Sequence, residues 1–101
     1  MWEAWCNLAV IYMTQQNYKA ALEAITHADS IKSDDALLLD YYGQILFALG
    51  KDDEALTKFK RSIAVEPKWK DSYNKMANVL QLTGHEDEAR ELLKKIPKDA
   101  Q

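Results

Sequence analysis

Gly50-Lys51-Asp52-Asp53-Glu54-Ala55 and Gly84-His85-Glu86-Asp87-Glu88-Ala89 stand one period apart, a period of about 34 residues. Each run begins with a glycine, passes through a cluster of acids and ends on alanine. The glycine suits the left-handed residue that closes a helix. The acids suit the start of the next helix, where the positive end of its dipole favours negative charge. One further period back stands Gln16-Asn17-Tyr18-Lys19-Ala20-Ala21, so Ala21, Ala55 and Ala89 share one place in a repeating unit. Aligned on them, the chain divides into 2–35, 36–69 and 70–101.

Other columns recur in the same register. Trp5, Leu39 and Tyr73 align, as do Leu8, Tyr42 and Met76; Tyr12, Leu46 and Leu80; and Ile25, Phe59 and Leu93. All of these are large. Ala9, Gly43 and Ala77 are all small. Large apolar residues at helical spacing, then a turn, then a second such set, predict two amphipathic helices per unit. The expected spans are 3–15, 19–31, 36–49, 53–65, 70–83 and 87–96. Pro67 blocks continuation of the fourth. The small columns predict close helix–helix contacts, with the large columns filling the space around them.

These residues resemble the tetratricopeptide repeat signature: W-x2-L-G-x2-Y, then A-x3-F, then P, recurring with that same period. Trp5, Leu8, Ala9, Tyr12, Ala21, Ile25 and Ala28 carry it in the first unit, with Ser33 in place of the proline. Leu39, Gly43, Ala55, Phe59 and Pro67 carry it in the second, where Tyr42 and Ser62 depart from it. Tyr73, Met76, Ala77, Leu80, Ala89 and Leu93 carry it in the third. The resemblance implies a single all-α domain over 1–101, a right-handed α-solenoid of three helix–turn–helix repeats and six helices. It further implies that the first helix of each repeat lines a concave groove for a protein or peptide.

On that implication the groove residues are Glu3, Cys6, Val10, Met13 and Thr14; Leu37, Asp40, Gln44, Phe47 and Ala48; and Asp71, Asn74, Asn78, Gln81 and Leu82. Val10, Met13, Leu37 and Phe47 lie outside the repeat's core columns and suit an apolar anchor. The amides of Gln44, Asn74, Asn78 and Gln81 suit a peptide backbone, having both donors and acceptors. The acids Glu3, Asp40 and Asp71 favour a basic ligand. A known subgroup of the family grips acidic chaperone tails with Lys, Asn, Asn, Lys and Arg. The matching positions here are Cys6, Val10, Tyr41, Asp71 and Lys75, so no such clamp is expected.

The two ends differ. Leu22 and Leu56 share a column that becomes Arg90, and the last helix keeps one apolar stripe of Ala89, Leu92, Leu93 and Ile96. That pattern suits a helix wet on its outer side, closing the stack. Trp2, Ala4 and Ile11 occupy columns that in later repeats lean on the repeat before. They predict either the cut end of a longer array or a contact face, with a homo-oligomer formed through it.

Composition narrows the classes of function. The net charge of −3 gives no general attraction to nucleic acid. Lys58, Lys60, Arg61, Lys68 and Lys70 form a basic cluster around Trp69, read as a solvated convex face. No apolar run reaches the length that spans a bilayer, and no signal peptide is evident, so cytoplasmic location is the default expectation. Cys6 is the one cysteine, so no internal disulfide can form. With His27 and His85 it supplies the only nucleophile and base candidates, and their placement in the repeat keeps them apart. No enzyme activity, metal or cofactor is expected.

Overall fold

Six helices follow one another in the computed structural model, which describes residues 1–101: α1 (Trp2–Thr14), α2 (Tyr18–Ile31), α3 (Ala36–Ala48), α4 (Asp52–Val65), α5 (Lys70–Leu82) and α6 (Glu86–Lys94). All six expected helices are present, and their ends shift only slightly from the expected spans.

The three turns inside the repeats are one structure made three times. Asn17, Lys51 and His85 donate their backbone N–H to the carbonyls of Tyr12, Leu46 and Leu80 at 2.9, 2.8 and 2.7 Å. Gln16, Gly50 and Gly84 donate to Met13, Phe47 and Gln81. This pairing of a 6→1 and a 5→2 bond needs a left-handed residue between them. Gly50 and Gly84 supply it at φ of 79° and 85°, whereas Gln16 is forced into it at 59°. The left-handed conformation costs an L-residue about 1–2 kcal/mol. A glycine would recover that but lose roughly 0.4–1 kcal/mol through its freer unfolded chain. Gln16→Gly is therefore expected to stabilise by about 0.5–1 kcal/mol. Urea unfolding checks this, and a midpoint lowered by the full glycine cost would show that Gln16 carries no strain.

Two of the helix starts use side chains as caps. Asn17 Oδ1 accepts from Ala20 N–H at 3.3 Å and Asp35 Oδ1 from Leu38 N–H at 2.9 Å. Helices α4 and α6 rely instead on Asp52, Asp53 and Glu54, and on Glu86, Asp87 and Glu88, in their first turns.

Packing follows the small columns. Ala9, Ala21, Ala55, Ala77 and Ala89 are all buried. Gly43 permits the closest approach: a Cβ there would stand 2.7 Å from the Phe59 ring. One core cluster joins repeat one to Leu38 and Ile45, and the other joins repeats two and three around Phe59. Leu22 and Tyr42 lie against both clusters. Each repeat packs its own pair (α1 on α2, α3 on α4, α5 on α6), and α2 on α3 and α4 on α5 connect the repeats. Successive first helices also touch, α1 with α3 and α3 with α5, whereas the backbones of α2, α4 and α6 stand apart from one another. The stack therefore curves, with α1, α3 and α5 on the inner face.

The departures from the repeat signature have local reasons. Tyr42 reaches beyond a leucine's place: Lys58 Nζ sits 4.4 Å above its ring, and its hydroxyl lies 3.4 Å from Thr26 Oγ1. Ser62 is buried and donates to the Ala36 carbonyl at 2.9 Å. Two large-column residues differ from expectation. Trp5 is 36 % exposed, and its ring stacks on that of His27 from α2 with centroids 4.4 Å apart instead of entering the core. Leu93 is exposed because no helix of this chain covers its face of α6. Arg90 is also exposed and pairs with Asp87.

Candidate functional site on the concave face

The inner helices frame two cavities in succession. The first, about 500 Å³, lies between α1 and α3. Trp2, Cys6, Val10, Ile11, Leu37 and Tyr41 make its apolar lining, and Glu3, Asn7 and Asp35 its polar one. The second, about 240 Å³, lies between α3 and α5 and is lined by Gln44, Phe47, Phe59, Lys75, Asn78 and Val79.

The expected groove residues divide between these cavities and the open surface. Glu3, Cys6, Val10 and Leu37 meet in the first cavity; Gln44, Phe47 and Asn78 meet in the second. Asp71, Asn74, Gln81, Thr14, Ala48 and Leu82 are exposed but line neither. Met13 and Phe47, expected to be free of the core, are half-buried against the two core clusters. Leu37, by contrast, is 44 % exposed with no place in either cluster. Trp2 and Ile11 belong to the wall of the first cavity, so the expected end face and the groove share one surface there; Ala4 is exposed and lines neither cavity.

Asp40 requires the largest correction. The sequence reading offers it as a free acid to a ligand, yet its side chain is wholly buried. Lys75 Nζ donates to its Oδ2 at 2.5 Å and Ser72 Oγ to its Oδ1 at 3.3 Å. Ser72 and Ser62 hydroxyls are 2.7 Å apart, so the chain of bonds runs from Lys75 through Asp40 and the serines to the Ala36 carbonyl. It ties α3, α4 and α5 together where repeat three leans on repeat two. Burial raises the Asp40 carboxyl above its ordinary value, and the bond and charge of Lys75 and the bond from Ser72 offset part of that rise. The nearby Asp71 charge adds to it.

Cys6 is also buried, as the floor of the first cavity. Burial raises its thiol, with Asp35 adding to the effect, so it is held as an uncharged apolar group and not as a thiolate nucleophile. His27 is stacked under Trp5, and His85 Nδ1 lies 3.1 Å from Thr83 Oγ1. The basic cluster is partly spoken for: Lys58 covers Tyr42, Arg61 donates to the Ser33 carbonyl at 2.7 Å, and Lys68 pairs with Asp99 at 2.7 Å. No three His, Cys, Asp or Glu side chains converge on a point, and no helix is long and apolar enough to cross a membrane.

Asn7 and Asp35 in the first cavity and Phe59 and Val79 in the second lie outside the expected groove residues, while Tyr41 and Lys75 were expected only as positions of a clamp the chain lacks. Asp35 had a usable signal, since an acid just before a helix is a cap and stays at the helix mouth. The others depend on how deeply one helix leans over the next.

Tetratricopeptide repeat models match residues 3–35 and residues 71–96, the first and third helix pairs, and the second pair repeats their turn and packing. The chain belongs to the tetratricopeptide repeat family. Among solved structures, MamA MSR-1 aligns over 95 % of this chain and 55 % of its own, with a TM-score of 0.85 and 22 % identity. A second crystal structure of MamA aligns over 94 % of this chain and 56 % of its own, with a TM-score of 0.88 at 22 % identity. A MamA point mutant aligns over 99 % and 73 %, with a TM-score of 0.86 at 21 % identity. At these identities the likeness is one of fold, and the chain spans little more than half the length of the first two MamA chains. A search of curated proteins returned no match. Tetratricopeptide repeats are protein-interaction and scaffold modules, and this chain is one of them.

Proposed function

We propose that the concave face holds a segment of a partner protein, extended or helical, laid across α1, α3 and α5. The observation that carries this is the pair of cavities framed by those helices. Both combine apolar lining with polar groups able to fix orientation, as ligand sites do. The segment is not an acidic tail. Of the positions that would form a carboxylate clamp, Lys75 alone is cationic, and Asp40 already holds it.

The test is a pull-down with the wild-type chain beside Leu37→Glu/Asn78→Glu. Both side chains are exposed, so circular dichroism and melting should stay unchanged while partner binding weakens at least tenfold, about 1.4 kcal/mol. Equal capture by both proteins would end the groove reading.

A second reading draws on Ile11, which is 52 % exposed beside Trp2. A second copy docking there would form a concentration-dependent dimer. Trp2 and Ile11 line the first cavity, so such a dimer should compete with the partner segment. Sedimentation at rising concentration decides this, and a clean monomer throughout would remove the self-association reading.

A further inference from the structure

We infer that the cavity between α1 and α3 is an anchor subsite for a large apolar side chain flanked, in the partner segment, by lysine or arginine. This rests on the groove reading above and specifies what the segment must carry. The apolar part follows from the lining: Trp2, Val10, Leu37 and Tyr41 surround a space of about 500 Å³ over the buried Cys6. That volume lies within the range of pockets that bury small ligands, about 300–1,000 Å³.

The basic part follows from charge. Glu3 and Asp35 are the ionisable acids of the lining, and no Lys or Arg lines it. Neither α1 nor α3 contains a Lys or Arg anywhere along its length. No ion pair engages Glu3 or Asp35, while nearby Lys32 is turned to Asp34 at 3.2 Å. Asp35 uses Oδ1 to cap α3, which leaves its charge and second oxygen for a ligand. The second cavity is unlike the first, because its one cation, Lys75, is matched by Asp40. A cationic flank therefore has matching charge at the first cavity and none at the second.

The experiment selects binders to the intact chain from a displayed library of random short peptides, then measures synthetic copies by fluorescence polarisation. The variant is Glu3→Gln/Asp35→Asn. Asparagine keeps a capping oxygen, and circular dichroism confirms the fold. The expected binders place Leu, Phe or Trp beside Lys or Arg. Their affinity should fall about tenfold when the flank becomes Glu, fall about fivefold with the variant, and weaken with salt. Binders without basic flanks, or indifferent to the variant, overturn this inference. If Asn78→Glu still weakens them, the groove reading stands. Absence of any binder overturns both.

Discussion

Replacing Phe59 with alanine is expected to lower stability by about 3–5 kcal/mol, the usual cost of emptying a buried aromatic site. Phe59 is 1 % exposed and sits at the centre of the core shared by repeats two and three. A chain of this size has a total stability of about 5–15 kcal/mol, so the loss would be a large part of it. The contact with Gly43 makes the prediction sharper. Gly43→Ala in the wild type puts a Cβ 2.7 Å from the ring, so overpacking of about 1–3 kcal/mol outweighs or cancels the helix propensity gained. Once Phe59 is alanine the ring atoms that stand nearest that Cβ are gone, and the same change should stabilise by up to about 1 kcal/mol, the propensity difference between glycine and alanine. Chemical denaturation of the four proteins measures the coupling. If Gly43→Ala had the same effect in both backgrounds, the glycine would not be there for the ring.

Lys75→Met is expected to destabilise by about 2–3 kcal/mol at neutral pH, somewhat less than a fully buried pair would lose. Breaking a buried ion pair costs about 3–5 kcal/mol when a lone charge remains, and the half-buried position of Lys75 lowers that figure. The pH dependence identifies the cause. The raised Asp40 carboxyl means the folded state holds its proton to higher pH than the unfolded chain does. Between the ordinary carboxylate value and the raised one the folded state binds more protons, so stability falls as pH rises through that window. Lys75 is among the influences that limit the rise, and its loss carries the window further upward. Below the ordinary value the carboxyl is protonated in both states, and the variant should there approach the wild type. Adding Asp40→Asn should rescue Lys75→Met at neutral pH, while Asp40→Asn alone should be near neutral or slightly stabilising, since Lys75 can turn to water. Urea unfolding at neutral pH and at about pH 3 separates these cases. A loss of equal size at both would mean that Lys75 matters for its packing and not for its charge.

Legibility in the sequence varied with how local the cause was. Helices and turns were readable because their signals lie within a single turn of chain: Gly50 and Gly84 for left-handed caps, and acids for helix starts. The small columns were readable because a fixed period repeats the same contact. The missing glycine at Gln16 was visible, but its meaning was not until the turn proved identical to the other two. The inner face was readable in part. Leu37 and Asn78, expected on that face, line its two cavities, whereas Asp40, expected beside them, belongs to the inter-repeat contact. Ser62 looked like a tolerated departure and is a member of that same bonded chain.

The sequence by itself determined the period, the helix pairs, the turns and the small-residue contacts, because each follows from periodicity along one helix or from the conformational preferences of particular residues. Only the tertiary structure decided that Asp40 is sealed beneath Lys75, that Trp5 is left half in water against His27, and that Trp2 and Ile11 share a cavity with Glu3, Val10 and Leu37. The Trp5 contact depends on how the two helices of repeat one pair, and the other two outcomes on the angle at which one repeat leans on the next. That angle is set by side chains that belong to different repeats, such as Asp40 and Ser72, and a helical period carries no record of it.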